Sequence, residues 1–241
     1  MLRYEIEGDS LPVVTCYLNT GDTLVTEKGA MSWMSPNMKM DTTSGGGLKK
    51  MFGRLFSGEA MFVNEFTAEG GPGMVAFSSG FPGSIIPITV TPTQGIIVQK
   101  HGFLAMEKGL ELSVYFQKKL GRGLFGGEGF IMQKIEGNGV VFLEIDGYCK
   151  EVDLPAGESI VVGTGYLAAM SDTCTMDVVM VKGAKNLFFG GEGLFNTVIT
   201  GPGKVYLQSM PIMKIAEAIS PYIHVNSSNS DNGGINIRLG D

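Results

Sequence analysis

The sequence has little of what most binding and catalytic chemistry requires. Its 241 residues include two histidines, three cysteines and one tryptophan, and charged residues make up 17% against an ordinary share of about 25%. His101 and His224 are far apart with no HxH pair, so a metal site of the cupin type lacks its usual ligands, and each histidine reads as a packing or surface residue. Cys16, Cys149 and Cys174 are odd in number, dispersed and without a CxxC pair. They suit small buried hydrophobes in a reducing compartment better than a disulfide framework or a zinc site. With 18 basic against 24 acidic residues the net charge is −6, which disfavours nucleic acid as a partner. No uninterrupted apolar run is as long as a membrane span. The opening MLRYEIEGDS places Arg3, Glu5, Glu7 and Asp9 where a signal peptide carries its apolar stretch, so the expected location is cytoplasmic. There is no Walker A motif and no GxSxG elbow. The expectation is no enzyme, with no catalytic residue, no metal and no cofactor.

What is abundant is glycine, at 36 residues, about twice its ordinary share of roughly 7%. Between the glycines run short stretches rich in Val, Ile, Phe and Met, bounded by Gly, Pro, Asn and Asp every dozen or so residues, which is the punctuation of strands and turns. These stretches repeat three times. KKMFGRLFSGEAMF from Lys49, KKLGRGLFGGEGFI from Lys118 and KGAKNLFFGGEGLF from Lys182 align without a gap. Their glutamates, Glu59, Glu128 and Glu192, are spaced by 69 (128 − 59) and 64 (192 − 128) residues. Downstream of each block comes a glycine turn: GPGMVAF at Gly71, GNGVVFL at Gly137 and GPGKVYL at Gly201. Upstream, LVTEKGAMSWM, IVQKHGFLAM and IVVGTGYLAAM match around Gly29, Gly102 and Gly165.

Three like units, each with an apolar face that it cannot bury alone, predict one all-β domain over residues 1–225 with pseudo-threefold symmetry. Its repeats span approximately 1–84, 85–148 and 149–210, each a short double-stranded β-helix or β-sandwich unit. Two segments depart from the pattern. From Ser35 to Lys50 the polar, glycine-ending stretch reads as a mobile loop inserted in the first unit. Near the end, Ile212, Ile215, Ala216 and Ile219 recur at helical intervals until Pro221, predicting one short amphipathic helix over 211–220. Residues 226–241 read as a polar, flexible tail.

Some residues invite a chemical reading. GRGLFG at Gly121 and GTGYLA at Gly163 match the dinucleotide fingerprint by letter. The counterparts of GTG in the other units are EKG and KHG, and no βαβ unit surrounds either match, so these are turn glycines. Glu59, Glu128 and Glu192 are equivalent by repeat. They either converge on a cation or each accept backbone N–H bonds in their own turn, and the second, structural role is the better founded. Lys49, Lys118 and Lys182, with Arg54, Arg122 and Lys185 nearby, form a basic feature on an acidic protein, read as a solvated face. A membrane surface is an alternative partner for them, without further support in the sequence. The 15 methionines read as core filling before an adaptable surface, and Trp33 beside the glycine-rich stretch as the flank of a contact region.

The SGEAMF, GGEGFI and GGEGLF triplet, the glycine turns and the closing PIMKIAEAI resemble the bacterial relatives of the altered-inheritance-of-mitochondria (Aim24-like) family, a domain of unknown function. The likeness runs roughly from Arg3 to Ile223. It implies a fold like that of the tryptophan RNA-binding attenuation protein, here tripled within one chain. No tryptophan pocket or RNA-contacting residue of that protein maps onto this sequence, the resembled family has no catalytic motif to transfer, and fold alone carries no activity. The resulting expectation is a non-enzymatic scaffold or interaction module, homo-oligomeric, with an unidentified protein partner and a large apolar surface patch. The alternative is a small-ligand or nucleic-acid binding module with a pocket between repeats.

Overall fold

The computed structural model describes residues 2–27, 29–44, 62–118, 129–180, 195–225 and 237–239. Among the described residues the fold is all-β apart from one short helix. The first unit contains β1 (Arg3–Glu7), β2 (Val13–Leu18), β3 (Thr23–Glu27), β4 (Met31–Met34), β5 (Met38–Ser44), β6 (Phe62–Ala68) and β7 (Gly73–Ser78). The second contains β8 (Gly83–Val90), β9 (Ile96–Gln99), β10 (Phe103–Glu107), β11 (Glu111–Lys118), β12 (Phe130–Glu136) and β13 (Gly139–Asp146). The third contains β14 (Cys149–Leu154), β15 (Ser159–Gly163), β16 (Leu167–Ser171), β17 (Thr175–Met180), β18 (Phe195–Thr200) and β19 (Gly203–Gln208). Then follow α1 (Ile212–Ile219), β20 (Ile223–Val225) and β21 (Ile237–Leu239).

The same four antiparallel pairings recur along the chain. In the first unit β7 lies between β2 and β4, and β6 between β3 and β5. In the second, β13 lies between β8 and β10 while β12 lies between β9 and β11. In the third, β19 lies between β14 and β16 and β18 between β15 and β17. Even the irregularities match, because the ladder slips by one residue at Met31/Trp33, Phe103/Ala105 and Leu167/Ala169. Such a slip re-aims the strand by a bulge. In the last two units it follows a 3-10 turn, Lys100–Gly102 and Thr164–Tyr166. These turns lie 64 residues apart, so Gly165 corresponds to His101. The sequence match of Gly102 with Gly165 is therefore off by one residue.

The units are joined edge to edge. β3 of the first pairs with β10 of the second, and β9 of the second with β16 of the third. Two complete six-stranded sheets result, β5-β6-β3-β10-β13-β8 and β11-β12-β9-β16-β19-β14. Flanking them are a four-stranded sheet, β1-β2-β7-β4, and a three-stranded one, β15-β18-β17. Among the described residues no ladder joins β15 to β4, the third junction that a closed threefold arrangement would contain.

Each junction mixes the cores of neighbouring units. Leu104, Val140 and Phe142 of the second pack with Phe66 and Phe77 of the first, and Ile97, Phe130 and Met132 of the second pack with Met170 and Val205 of the third. Full burial of a large apolar side chain contributes on the order of 1.5–3 kcal/mol, so each junction stabilises the units on both of its sides. An ion pair also crosses each junction: Lys108 to Glu65 at 2.8 Å, and Lys134 to Asp172 at 3.3 Å. The register makes Glu65 and Lys134 equivalent, since they oppose Val25 and Ile97. The charges are thus exchanged from one junction to the next.

The third residue of the glycine turns shows why glycine is required there. Gly139 and Gly203 have φ of +157° and +147°. A Cβ on Gly203 would sit 2.7 Å from Cys174 Sγ and Thr173 Oγ1, so any other residue would both strain the backbone and push these side chains aside.

Two sequence expectations need correction. Residues 38–44, read as part of an inserted loop, form β5 and pair with β6 along its whole length. Met38 is buried while Lys39, Met40, Asp41 and Thr42 are exposed, and an edge strand this open to water is polar enough to pass for a loop. Residues 237–239 of the expected tail pair with Ile223–Val225. The helix occupies Ile212–Ile219, within one residue of expectation at each end.

Candidate interaction surfaces

Glu59, Glu128, Glu192, Lys49 and Lys182 lie outside the described residues, as do Arg54, Arg122 and Lys185. Residues 45–61, 119–128 and 181–194 connect β5 to β6, β11 to β12 and β17 to β18, the same connection in each unit. Lys118 is described. It ends β11 and its Nζ donates to the Val178 carbonyl at 3.0 Å, tying the second unit to the third. Sequence reasoning missed a set of buried polar residues one strand away: Asn64, Gln133 and Thr197, 9%, 2% and 0% exposed. They are equivalent by register, opposite Thr26, Val98 and Val162. Asn64 accepts from Thr42, and Thr197 donates to Thr164. A polar residue at the same rung of each repeat was the available signal.

All three cysteines are free thiols. Burial, with the Glu107 charge adding, pushes Cys16 up to about 12. Burial and then Glu151 push Cys149 up to about 11, and burial raises Cys174. At neutral pH these sulfurs stay protonated and are weak nucleophiles. Among the described residues no group of three or more His, Cys, Asp or Glu is placed to hold a metal, and no helix is long and apolar enough to cross a membrane.

A cavity of about 580 Å³ lies where the units meet the helix. Met213, Ile212 and Ala216 of α1 cover it, and Gln99, His101, Glu144, Asp146 and Gln208 supply its polar rim. Gln208 donates to Gln99 at 3.1 Å and to the Gly165 carbonyl at 2.8 Å, holding second and third units together beneath it. Glu144 accepts from the Gly80 N–H at 3.1 Å. Asp146 accepts from the Ile212 N–H at 2.8 Å and so pins the start of the helix. Burial holds both carboxyls above the ordinary range, against the pull of these N–H donors. Polar groups converging on a mostly apolar space are what a small-molecule site needs.

The second surface comprises the two outer strands of the array. Trp33 of β4 is 47% exposed and Val161 of β15 is 60% exposed. Their counterparts at the inner junctions, Ala105 and Ala169 for Trp33 and Val25 and Ile97 for Val161, are completely buried. The amphipathic helix adds exposed apolar groups at Ile212 and Ile219.

Comparison with known proteins agrees with this architecture. The profile of the family described as "Mitochondrial biogenesis AIM24" matches residues 4–210, from β1 to the end of β19 and short of the helix. A protein from Streptococcus pyogenes, solved by X-ray crystallography, is 22% identical. The superposition has a TM-score of 0.74 and covers 92% of this chain and 100% of that one. At that identity the likeness is one of fold. A search of the curated proteins found no sequence that matches.

Proposed function

The chain belongs to the AIM24 family, and from that premise we propose that it is a non-enzymatic, cytoplasmic scaffold that works as an assembly of its own copies and presents the assembled surface to a protein partner. One observation supports this reading: among the described residues the repeat array ends on two apolar strands that have no strand on their outer side and carry exposed side chains, whereas solenoid-like arrays that stay single protect their ends with polar capping repeats. A net charge of −6 speaks against nucleic acid as the partner. Light scattering coupled to size exclusion tests the reading. At micromolar concentration the mass should be a multiple of 25.7 kDa, and a single-chain mass across the whole concentration range would refute it.

The cavity beneath α1 supports a second reading, a small-ligand module. Its size fits a metabolite, and its rim offers two amides, two carboxyls and an imidazole. A compound that binds there raises the melting temperature in proportion to its affinity. Failure of any metabolite pool to move it counts against this reading.

A further inference from the structure

The two incomplete sheets at the ends of the chain are the two halves of a complete one. Both six-stranded sheets have the same make-up. Three strands come from one unit, in the places of β5-β6-β3, and three from the next, in the places of β10-β13-β8. The four-stranded sheet holds only the second half, β4-β7-β2, with β1 added at the outside; the three-stranded sheet holds only the first half, β17-β18-β15. We propose that β15 of one copy of this chain pairs antiparallel with β4 of a second copy, completing the sheet in the register already used twice within the chain. This deepens the self-association reading above and rests on it.

The register follows from the two inner junctions. Ala105 faces Thr26 and Met106 faces Val25 at the first; Ala169 faces Val98 and Met170 faces Ile97 at the second. The equivalent residues put Trp33 opposite Val162 and Met34 opposite Val161 of the neighbouring copy.

Two independent observations favour a second copy as the occupant. The first is how the edges are protected. Exposed strand edges are normally blunted by charge or proline. Among the eight outer strands of the four larger sheets, β1, β5, β11, β14 and β17 carry charged residues and β8 carries Pro87, whereas β4 (MSWM) and β15 (SIVVG) carry neither. Only the two strands that would be interior in the assembled sheet lack an edge's defences. The second is the junction ion pair. The position of Glu65 and Lys134 is Val198 in the third unit, opposite Val161. The position of Lys108 and Asp172 is Pro36 in the first, just beyond β4. At the open ends both members of the pair are uncharged, so those ends match each other. Either open end set against an inner partner would take the cross-junction counterpart away from Glu65, Lys108 or Asp172, while Lys134 would keep only Glu136 of its own strand.

Such a contact is head-to-tail, which generates either a closed ring or a filament, in contrast to a self-complementary dimer patch. The experiment uses Trp33→Glu and Val161→Glu in the full chain. Both side chains are exposed, so each variant should keep the native melting profile and circular dichroism while placing a charge in the sheet junction. Expected masses by light scattering are a multiple of the chain for the native protein and a single chain for either variant at the same concentration. An equimolar mixture should give a two-chain species, because each variant still supplies one intact edge. If the native protein assembles and either variant stays assembled as before, the edge pairing is wrong while self-association stands. Dimers of one variant but not the other would point to a self-complementary patch and overturn the head-to-tail contact. A native protein that is a single chain at every concentration refutes self-association and this inference together.

Discussion

β9 and β15 hold the same place in successive units, yet β9 is buried at all four positions and β15 at none. Their sequences, IIVQ and SIVVG, differ too little to account for that. What differs is the second neighbour, because β9 lies between β12 and β16, whereas β15 has β18 on one side and no described strand on the other. The same contrast separates β10 from β4. A repeat array therefore holds two populations of chemically similar strands, one made core by its flanks and one left as surface by the end of the series.

Paired substitutions sharpen that contrast most strongly. Ile97→Ala should cost about 2–5 kcal/mol, the usual range for emptying a closed apolar site. Val161→Ala at the equivalent position should stay within about 0.5 kcal/mol when measured by denaturant unfolding in the Trp33→Glu chain, where assembly makes no contribution. Equal losses at the two positions would mean that β15 is already buried and the contrast false. Next in size is Gly203→Ala. The positive φ and the approach to Cys174 should together cost roughly 1–3 kcal/mol, read from the same unfolding curves; a neutral result would show that the β17–β19 corner yields easily.

Smaller effects belong to the helix, which sits outside the repeats. Asp146→Ala removes the acceptor for the Ile212 N–H and should cost about 1 kcal/mol. That loss should appear as faster hydrogen exchange over residues 212–219 with little change in β12 or β13. Spread of the effect into those strands would make helix and body one cooperative unit.

The smallest effect is a pH trend. Burial raises the Glu144 pKa, so the fold favours the protonated acid. Its contribution to stability is complete below the ordinary carboxyl value of about 4.3 and falls as pH rises through the raised one. The melting temperature of Glu144→Gln should therefore gain on that of the native protein between about pH 4 and about pH 7, and an opposite trend would show that the Gly80 bond outweighs burial.

How far the fold was legible depends on which physical scale each feature occupies. Glycine turns at Gly71, Gly137 and Gly201 and the apolar runs between them were readable because turn conformation and strand patterning are local. The helix was readable from the spacing of Ile212, Ile215 and Ile219. β5 was not, because an edge strand with Lys39, Asp41 and three hydroxyl residues has the composition of a loop. The off-by-one match of Gly102 with Gly165 arose because glycine was aligned with glycine, although the register places His101 there. Of the candidate site residues only Lys118 falls in the described chain, and its partner, the Val178 carbonyl, belongs to the backbone of another unit. The cavity joins Gly80, Gln99, Asp146 and Gln208 from three regions of the sequence, and no spacing rule connects them.

By itself the sequence determined the unit: its short strands, its turns, and its recurrence along the chain. These follow from backbone sterics and from alternation within a few residues. Which strands become core was decided only in the tertiary structure. Burial is a property of a strand and its neighbours on both sides, and MSWM and SIVVG reveal nothing of theirs until the sheets are laid out and two of them stop halfway.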